Sequence, residues 1–110
     1  METSNLRRAI VMYRDKKAGI IEETREGYRF TYDNDFMKQN RPISVSLPTT
    51  KQSYESSSLF AFFLGLLPEG WYLNMVTKKL KIDKNDTFGL LIATCKETIG
   101  AVTIIIPEAA

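Results

Sequence analysis

The chain has 110 residues, of which 44% are hydrophobic and 25% charged, a size and composition typical of a single globular domain, residues 1–110. Its 15 Lys and Arg residues nearly balance 13 Asp and Glu residues, giving a net charge of +2, which disfavours direct binding to nucleic acid because that requires a basic face. The sequence shows neither an apolar leader nor a run of about 18 apolar residues, so we expect a cytoplasmic protein that does not contact the membrane.

The first third of the chain predicts three strands in an antiparallel meander. Residues 6–13 are β-prone and almost continuously apolar, which indicates a strand covered on both faces. A turn at residues 15–17 leads to a second strand at 18–23. The third strand, residues 28–33, alternates aromatic and polar side chains and so indicates one solvent-exposed face. Arg7 and Arg8 are interpreted as solvated surface.

The next segment predicts a polar link and a fourth strand. Residues 34–41 read as the link, and Asp33 and Asp35, on either side of Asn34, are interpreted as turn residues where the link begins. Ile43, Val45 and Leu47 alternate with serines between two prolines, the pattern of a short strand over residues 43–47.

The second half predicts three helices and a last strand. Serines 56–58 are N-cap candidates for a helix over 59–67, which ends near Pro68 because proline disfavours a helical residue before it. A second helix begins there, with Leu73, Val76 and Leu80 on one face. Asp86 is predicted to cap a third helix through residue 92, and residues 101–106 predict an unbroken apolar strand in the centre of the sheet.

These elements indicate an α+β fold with an antiparallel sheet of about five strands, the meander first and the central strand last. About three helices are grouped in the C-terminal half. The expected core is apolar and contains Phe60, Phe63, Leu67, Phe88, Leu91, Val102 and Ile104.

The residue types needed for catalysis are missing. The sequence contains no histidine, the commonest general base and metal ligand. Cys95, the single cysteine, therefore lacks an activating imidazole and is expected to be a buried structural thiol. A calcium-loop-like pattern at residues 83–87 fails because Phe88 occupies the position of the required glycine. We expect no enzyme activity, no cofactor and no metal, and hence a function in protein binding.

Five sequence blocks, in order, resemble the N-terminal subdomain of the HipA-type serine/threonine kinase toxins. The resemblance extends from about residue 6 to residue 107, but no kinase motifs follow within this chain. The blocks are Phe30-Thr31-Tyr32-Asp33, Arg41-Pro42-Ile43-Ser44-Val45-Ser46-Leu47-Pro48, Phe63-Leu64-Gly65-Leu66-Leu67-Pro68-Glu69-Gly70, Asp86-Thr87-Phe88-Gly89-Leu90-Leu91 and Thr98-Ile99-Gly100-Ala101-Val102.

A separate domain of this kind is similar to the HipS-like antitoxins of three-gene HipBST systems. The resemblance implies an antitoxin that holds a HipT-like kinase toxin inactive, with a HipB-like helix-turn-helix DNA-binding protein as a further partner. Two alternatives remain open: a structural subdomain of a longer HipA-type kinase, and an interaction module with no inhibitory role.

The predicted partner-binding residues are Glu69, Gly70, Trp71, Tyr72 and Met75. Trp71 is the single tryptophan and lies at the start of a helix whose main apolar stripe does not include it. Core packing is one interpretation of Trp71. The other is an exposed anchor, because tryptophan is enriched at binding hot spots. The resemblance implies that this region faces the nucleotide site of the kinase.

Overall fold

The computed structural model describes residues 6–39, 41–67, 70–83, 85–95 and 102–105, with side chains of the third helix from residue 73 onward. Within these residues, five strands form one antiparallel sheet in the order β4-β3-β2-β1-β5, and three of the four helices lie in the C-terminal half, which confirms the α+β prediction. The elements are β1 (Arg8–Tyr13), β2 (Lys16–Thr24), β3 (Gly27–Tyr32), α1 (Asn34–Met37), β4 (Ser53–Ser56), α2 (Ala61–Leu64), α3 (Gly70–Leu80), α4 (Thr87–Thr94) and β5 (Val102–Ile105).

The first three strands form the predicted meander, and side chains alternate between its two faces. In β1, Ala9 and Val11 are completely buried, whereas Ile10 and Met12 are only half-buried. The prediction that this strand is covered on both faces is therefore wrong. Ala9 and Val11 belong to the same core cluster as the buried side chains of the helices, so the helices pack on their face.

One hydrophobic core lies between this sheet face and the helices. Phe63 of α2 packs against Phe30 of β3, with ring centroids 5.7 Å apart. Phe88 and Leu91 of α4 and the β5 residues Val102 and Ile104 complete the same cluster. Of the predicted core residues, Phe60 and Leu67 are only partly buried and pack against its edge.

The segment predicted as a strand over residues 43–47 is instead a tight turn. Ile43 and Leu47 are buried, whereas Val45 is 94% exposed, although a strand would place all three on one face. The Leu47 amide donates to the Ser44 carbonyl at 3.0 Å, which closes the turn. The fourth strand is β4, residues Ser53–Ser56, and it pairs with β3.

The last strand lies at the end of the sheet as the described residues define it, so its predicted central position is wrong. β5 pairs with β1, and the sheet order places it outermost. It is nevertheless buried on one face, because the end of α4 packs beside it. The Ile104 amide donates to the Cys95 carbonyl at 2.7 Å, and this hydrogen bond covers part of the edge.

The helices differ in detail from the sequence-based prediction. α1 replaces the start of the predicted link, and the Asp33 carboxylate caps it by accepting from the Asp35 amide. α2 is a single turn whose N-cap is Phe60, without a side-chain cap, so the predicted serine caps are wrong. α4 begins as predicted, with the Asp86 carboxylate accepting from the Gly89 amide at 3.1 Å.

Candidate protein-binding surface

α3 exposes apolar side chains to solvent. Among its described side chains, residues 73–80, Val76 is buried, whereas Met75 is 43% and Leu80 is 49% exposed. The predicted buried stripe is therefore wrong at Leu80, the last residue of the helix. The chain turns directly afterwards, where Lys81 adopts a positive φ of 56°. Exposed apolar side chains such as Met75 and Leu80 supply surface that another protein can cover.

Most of the predicted partner-binding residues lie at the start of α3. Gly70 is its first residue, and Trp71 and Tyr72 follow within the helix. Glu69 and the side chains of Trp71 and Tyr72 lie outside the described part of the structure. Position 71 precedes Met75 by four residues and therefore shares its helix face. Partner binding by these five residues stays a prediction, supported at present by the exposure of Met75.

The sequence analysis missed an ion cluster around Arg7. The Arg7 guanidinium donates to Glu23 at 2.9 and 3.0 Å and to Asp86 at 2.8 and 3.1 Å. The Arg7 amide also donates to the Glu23 carboxylate at 2.9 Å. Arg7 is thus not a freely solvated residue, because it joins β2 to the start of α4. The sequence alone could not pair residues 7, 23 and 86, because nothing in it brings them together.

Two further residues of the Asp86-Thr87-Phe88-Gly89 block complete this cluster. A Cβ atom at position 89 would lie 2.3 Å from the Asp86 carboxylate oxygen and 3.2 Å from the Arg7 guanidinium, so any other residue there would have to displace the Asp86 side chain. Phe88 is buried and stacks on Tyr28 with centroids 6.0 Å apart. The Arg7 guanidinium lies 5.3 Å from the Phe88 centroid, within cation–π range.

The electrostatics of the Arg7 cluster are those of a structural ion-pair network. Hydrogen bonds from Arg7 hold the pKa of Glu23 and the pKa of Asp86 below their ordinary values. Both carboxylates therefore stay ionised and bound to one cation. A general acid or base needs a pKa near the working pH, so this arrangement favours attachment of α4 to the sheet over proton transfer.

Cys95 and the acidic residues are likewise suited to structural roles. Cys95 is buried, as predicted, and its thiol donates to the Leu66 carbonyl at 3.4 Å. Burial raises the pKa of this thiol, which disfavours the nucleophilic thiolate. Within the described residues, no group of His, Cys, Asp or Glu side chains has an arrangement that could hold a metal ion.

No helix in the described part of the chain is long and apolar enough to cross a membrane.

Comparison with known proteins identifies the family. The profile of the HipA N-terminal domain matches residues 9–105. The chain belongs to the HipA N-terminal domain family. A solved structure described as the N-terminal domain of HipA toxin superimposes with a TM-score of 0.73 at 29% identity, covering 94% of this chain and 95% of that one.

Two relatives differ in how much of their length this HipA N-terminal domain covers. An uncharacterised protein of Haemophilus influenzae is 34% identical over 86 residues, which are 78% of this chain and 79% of that protein. The serine/threonine-protein kinase toxin HipA of Shewanella oneidensis is 26% identical over 85 residues, 77% of this chain but 19% of the kinase. The chain thus spans about a fifth of the kinase and most of the Haemophilus protein.

Proposed function

We propose that this HipA N-terminal domain is the antitoxin of a tripartite toxin–antitoxin system and binds and inhibits a HipT-like serine/threonine kinase toxin. The observation that carries the proposal is the Haemophilus relative, in which the matched region makes up 79% of the protein. That relative consists mainly of this one domain, whereas in the Shewanella kinase the domain is a small part. A domain that occurs both alone and joined to a kinase is suited to bind a kinase that lacks it.

The surface chemistry supports binding and not catalysis. The sequence has no histidine, and the described carboxylates Glu23 and Asp86 are held ionised by Arg7. Exposed apolar side chains on α3, Met75 and Leu80, supply contact area of the kind that protein interfaces bury. A HipB-like DNA-binding protein is the further partner that we propose for the complex in the cytoplasm.

A binding titration tests the proposal. A HipT-like kinase toxin, purified at full length, is titrated with the isolated domain in a calorimeter. We expect saturable binding with a defined stoichiometry. A flat titration with folded kinase and folded domain would contradict the proposed function.

The predicted contact of Trp71 has its own test. Trp71→Ala should weaken kinase binding by about 2 kcal/mol or more, the loss typical of a hot-spot tryptophan, while the melting transition stays cooperative. Lys79→Ala, an exposed position on the same helix, is the matched control and should bind normally. Unchanged affinity together with a collapsed melting transition would show that Trp71 is a core residue.

The alternative function, a structural subdomain of a HipA-type kinase, is favoured by the match to the Shewanella kinase. The reading frames around the gene distinguish the two. A separate kinase frame downstream agrees with the antitoxin, whereas a kinase continuing in the same frame agrees with the subdomain.

A further inference from the structure

The turn between Pro42 and Pro48 carries the most exposed large apolar side chain of the described residues. Val45 is 94% exposed, and the next most exposed, Leu80, is 49% exposed. An isolated exposed apolar residue is common and needs no explanation by itself. The turn that presents Val45 is unusual, because both of its flanks are fixed to the core.

Two tyrosine hydroxyls fix the flanks of this turn. The Tyr32 hydroxyl, which is buried in the core, accepts from the Ile43 amide at 3.1 Å and donates to the Leu47 carbonyl. One side chain therefore bridges the two ends of the turn. The Tyr54 hydroxyl donates to the Pro48 carbonyl at 2.5 Å, so the residue that follows the turn is also fixed.

The tip of the turn is ordered by its own serines. The Ser44 hydroxyl accepts from the Ser46 amide at 3.2 Å, and the two hydroxyl oxygens are 2.9 Å apart. Val45 is the residue between these two serines in the sequence. A partner that binds this tip loses little entropy in ordering it, because the chain is already fixed; such preorganisation favours affinity.

We propose that Val45 is a second contact of the kinase, inserted into a small apolar pocket whose rim hydrogen-bonds the Ser44 and Ser46 hydroxyls. This inference rests on the proposed function and adds a site separate in sequence from α3. In the Shewanella kinase, about four-fifths of the chain lies outside the region matched by this domain. A kinase of that size has enough surface to contact both α3 and the turn that carries Val45.

A second copy of this chain is a poorer occupant for the tip. One cleft on the described surface, about 540 Å³, lies between the end of α3 and α4; the apolar Leu80, Ile82 and Ile92 line it together with charged residues that include Arg7 and Asp86. A tip entering that cleft makes a head-to-tail contact, which leaves a tip and a cleft free at the two ends and promotes open polymers.

The test compares kinase affinities of Val45 variants, measured with the same purified kinase. Val45→Asp should weaken binding at least about tenfold, since one buried valine contributes about that much affinity, while its melting temperature stays at the wild-type value. Val45→Ile should bind normally. Leu6→Asp, a change at another exposed apolar position, is the control and should also bind normally.

Three outcomes would overturn the inference. Val45→Asp binding as tightly as the wild type would remove the second contact and leave the proposed function intact. Absence of any wild-type binding would remove both. Self-association of the isolated domain that Val45→Asp abolishes, measured by sedimentation, would assign the tip to a second copy instead.

Discussion

At the scale of single residues, Phe63 is the most informative core position. It is completely buried and contacts the rings of Phe30, Phe60 and Phe62 with centroids 5.2 to 6.2 Å away. Phe63→Ala should therefore lower the free energy of unfolding by about 3 to 5 kcal/mol. Kinase binding should fall only as far as the variant unfolds. Urea unfolding measures the loss, and a variant that unfolds like the parent would show that the core assignment is wrong.

Gly89 offers a second residue-scale prediction. Gly89→Ala places a methyl group against the Asp86 carboxylate, so the helix cap and the Arg7 contacts cannot both persist. We expect a loss of about 1 to 3 kcal/mol in unfolding free energy. Gly65→Ala is the matched control, because there the nearest atom to the new Cβ is 3.4 Å away. Equal melting temperatures for both variants would contradict this role of Gly89.

Residue burial was predictable wherever periodicity was strong. Phe63, Phe88, Leu91 and Ile104 are buried as expected. Leu80 is not, because α3 ends there and the helix period no longer determines what covers it. The role of Arg7 could not be predicted, since its partners lie 16 and 79 residues away in the chain.

At the scale of elements, the Arg7 cluster makes the attachment of α4 to the sheet dependent on pH. Folding lowers the pKa of Glu23 and of Asp86 from ordinary values of 4.5 and 3.8. Their stabilising contribution is therefore complete above about pH 5 and is lost as the pH falls through the lowered values.

Arg7→Met isolates this contribution, since methionine keeps an apolar stem near Phe88 but removes the cation. The variant should be less stable than the wild type by about 1 to 2 kcal/mol at pH 7. The difference in unfolding free energy between the two proteins should become smaller as the pH is lowered toward 3. Urea unfolding of both proteins over that range measures it. A difference in unfolding free energy that stays constant with pH would contradict an electrostatic origin of the stabilisation by Arg7.

Most helices and strands were predictable from the sequence. The predictions failed at the turn of residues 43–47 and at the position of β5 in the sheet. The meander and α4 follow from alternation and from the Asp86 cap. The turn at residues 43–47 imitates a strand because its residues alternate, but the Tyr32 hydroxyl, 11 positions before Ile43, closes it into a turn. β5 reads as central because it is apolar, although the end of α4 covers it at the edge of the described sheet.

At the scale of the whole molecule, the proposed function requires this HipA N-terminal domain to bind a kinase without transferring phosphoryl groups itself. Nothing in the sequence resembles the phosphate-binding loop or the magnesium-binding residues of a kinase. Titration of the isolated domain with magnesium and ATP in a calorimeter should therefore be flat. A specific heat of binding in the micromolar range would contradict this assignment.

The central claim is tested most directly by the activity of the kinase itself. The measurement is the rate of phosphate incorporation from labelled ATP by the HipT-like kinase as the domain is added. The account predicts that the rate falls to a minimum at the binding stoichiometry and that Trp71→Ala restores it. A rate that is unchanged in the presence of excess bound wild-type domain would contradict the claim that this domain is an inhibitor.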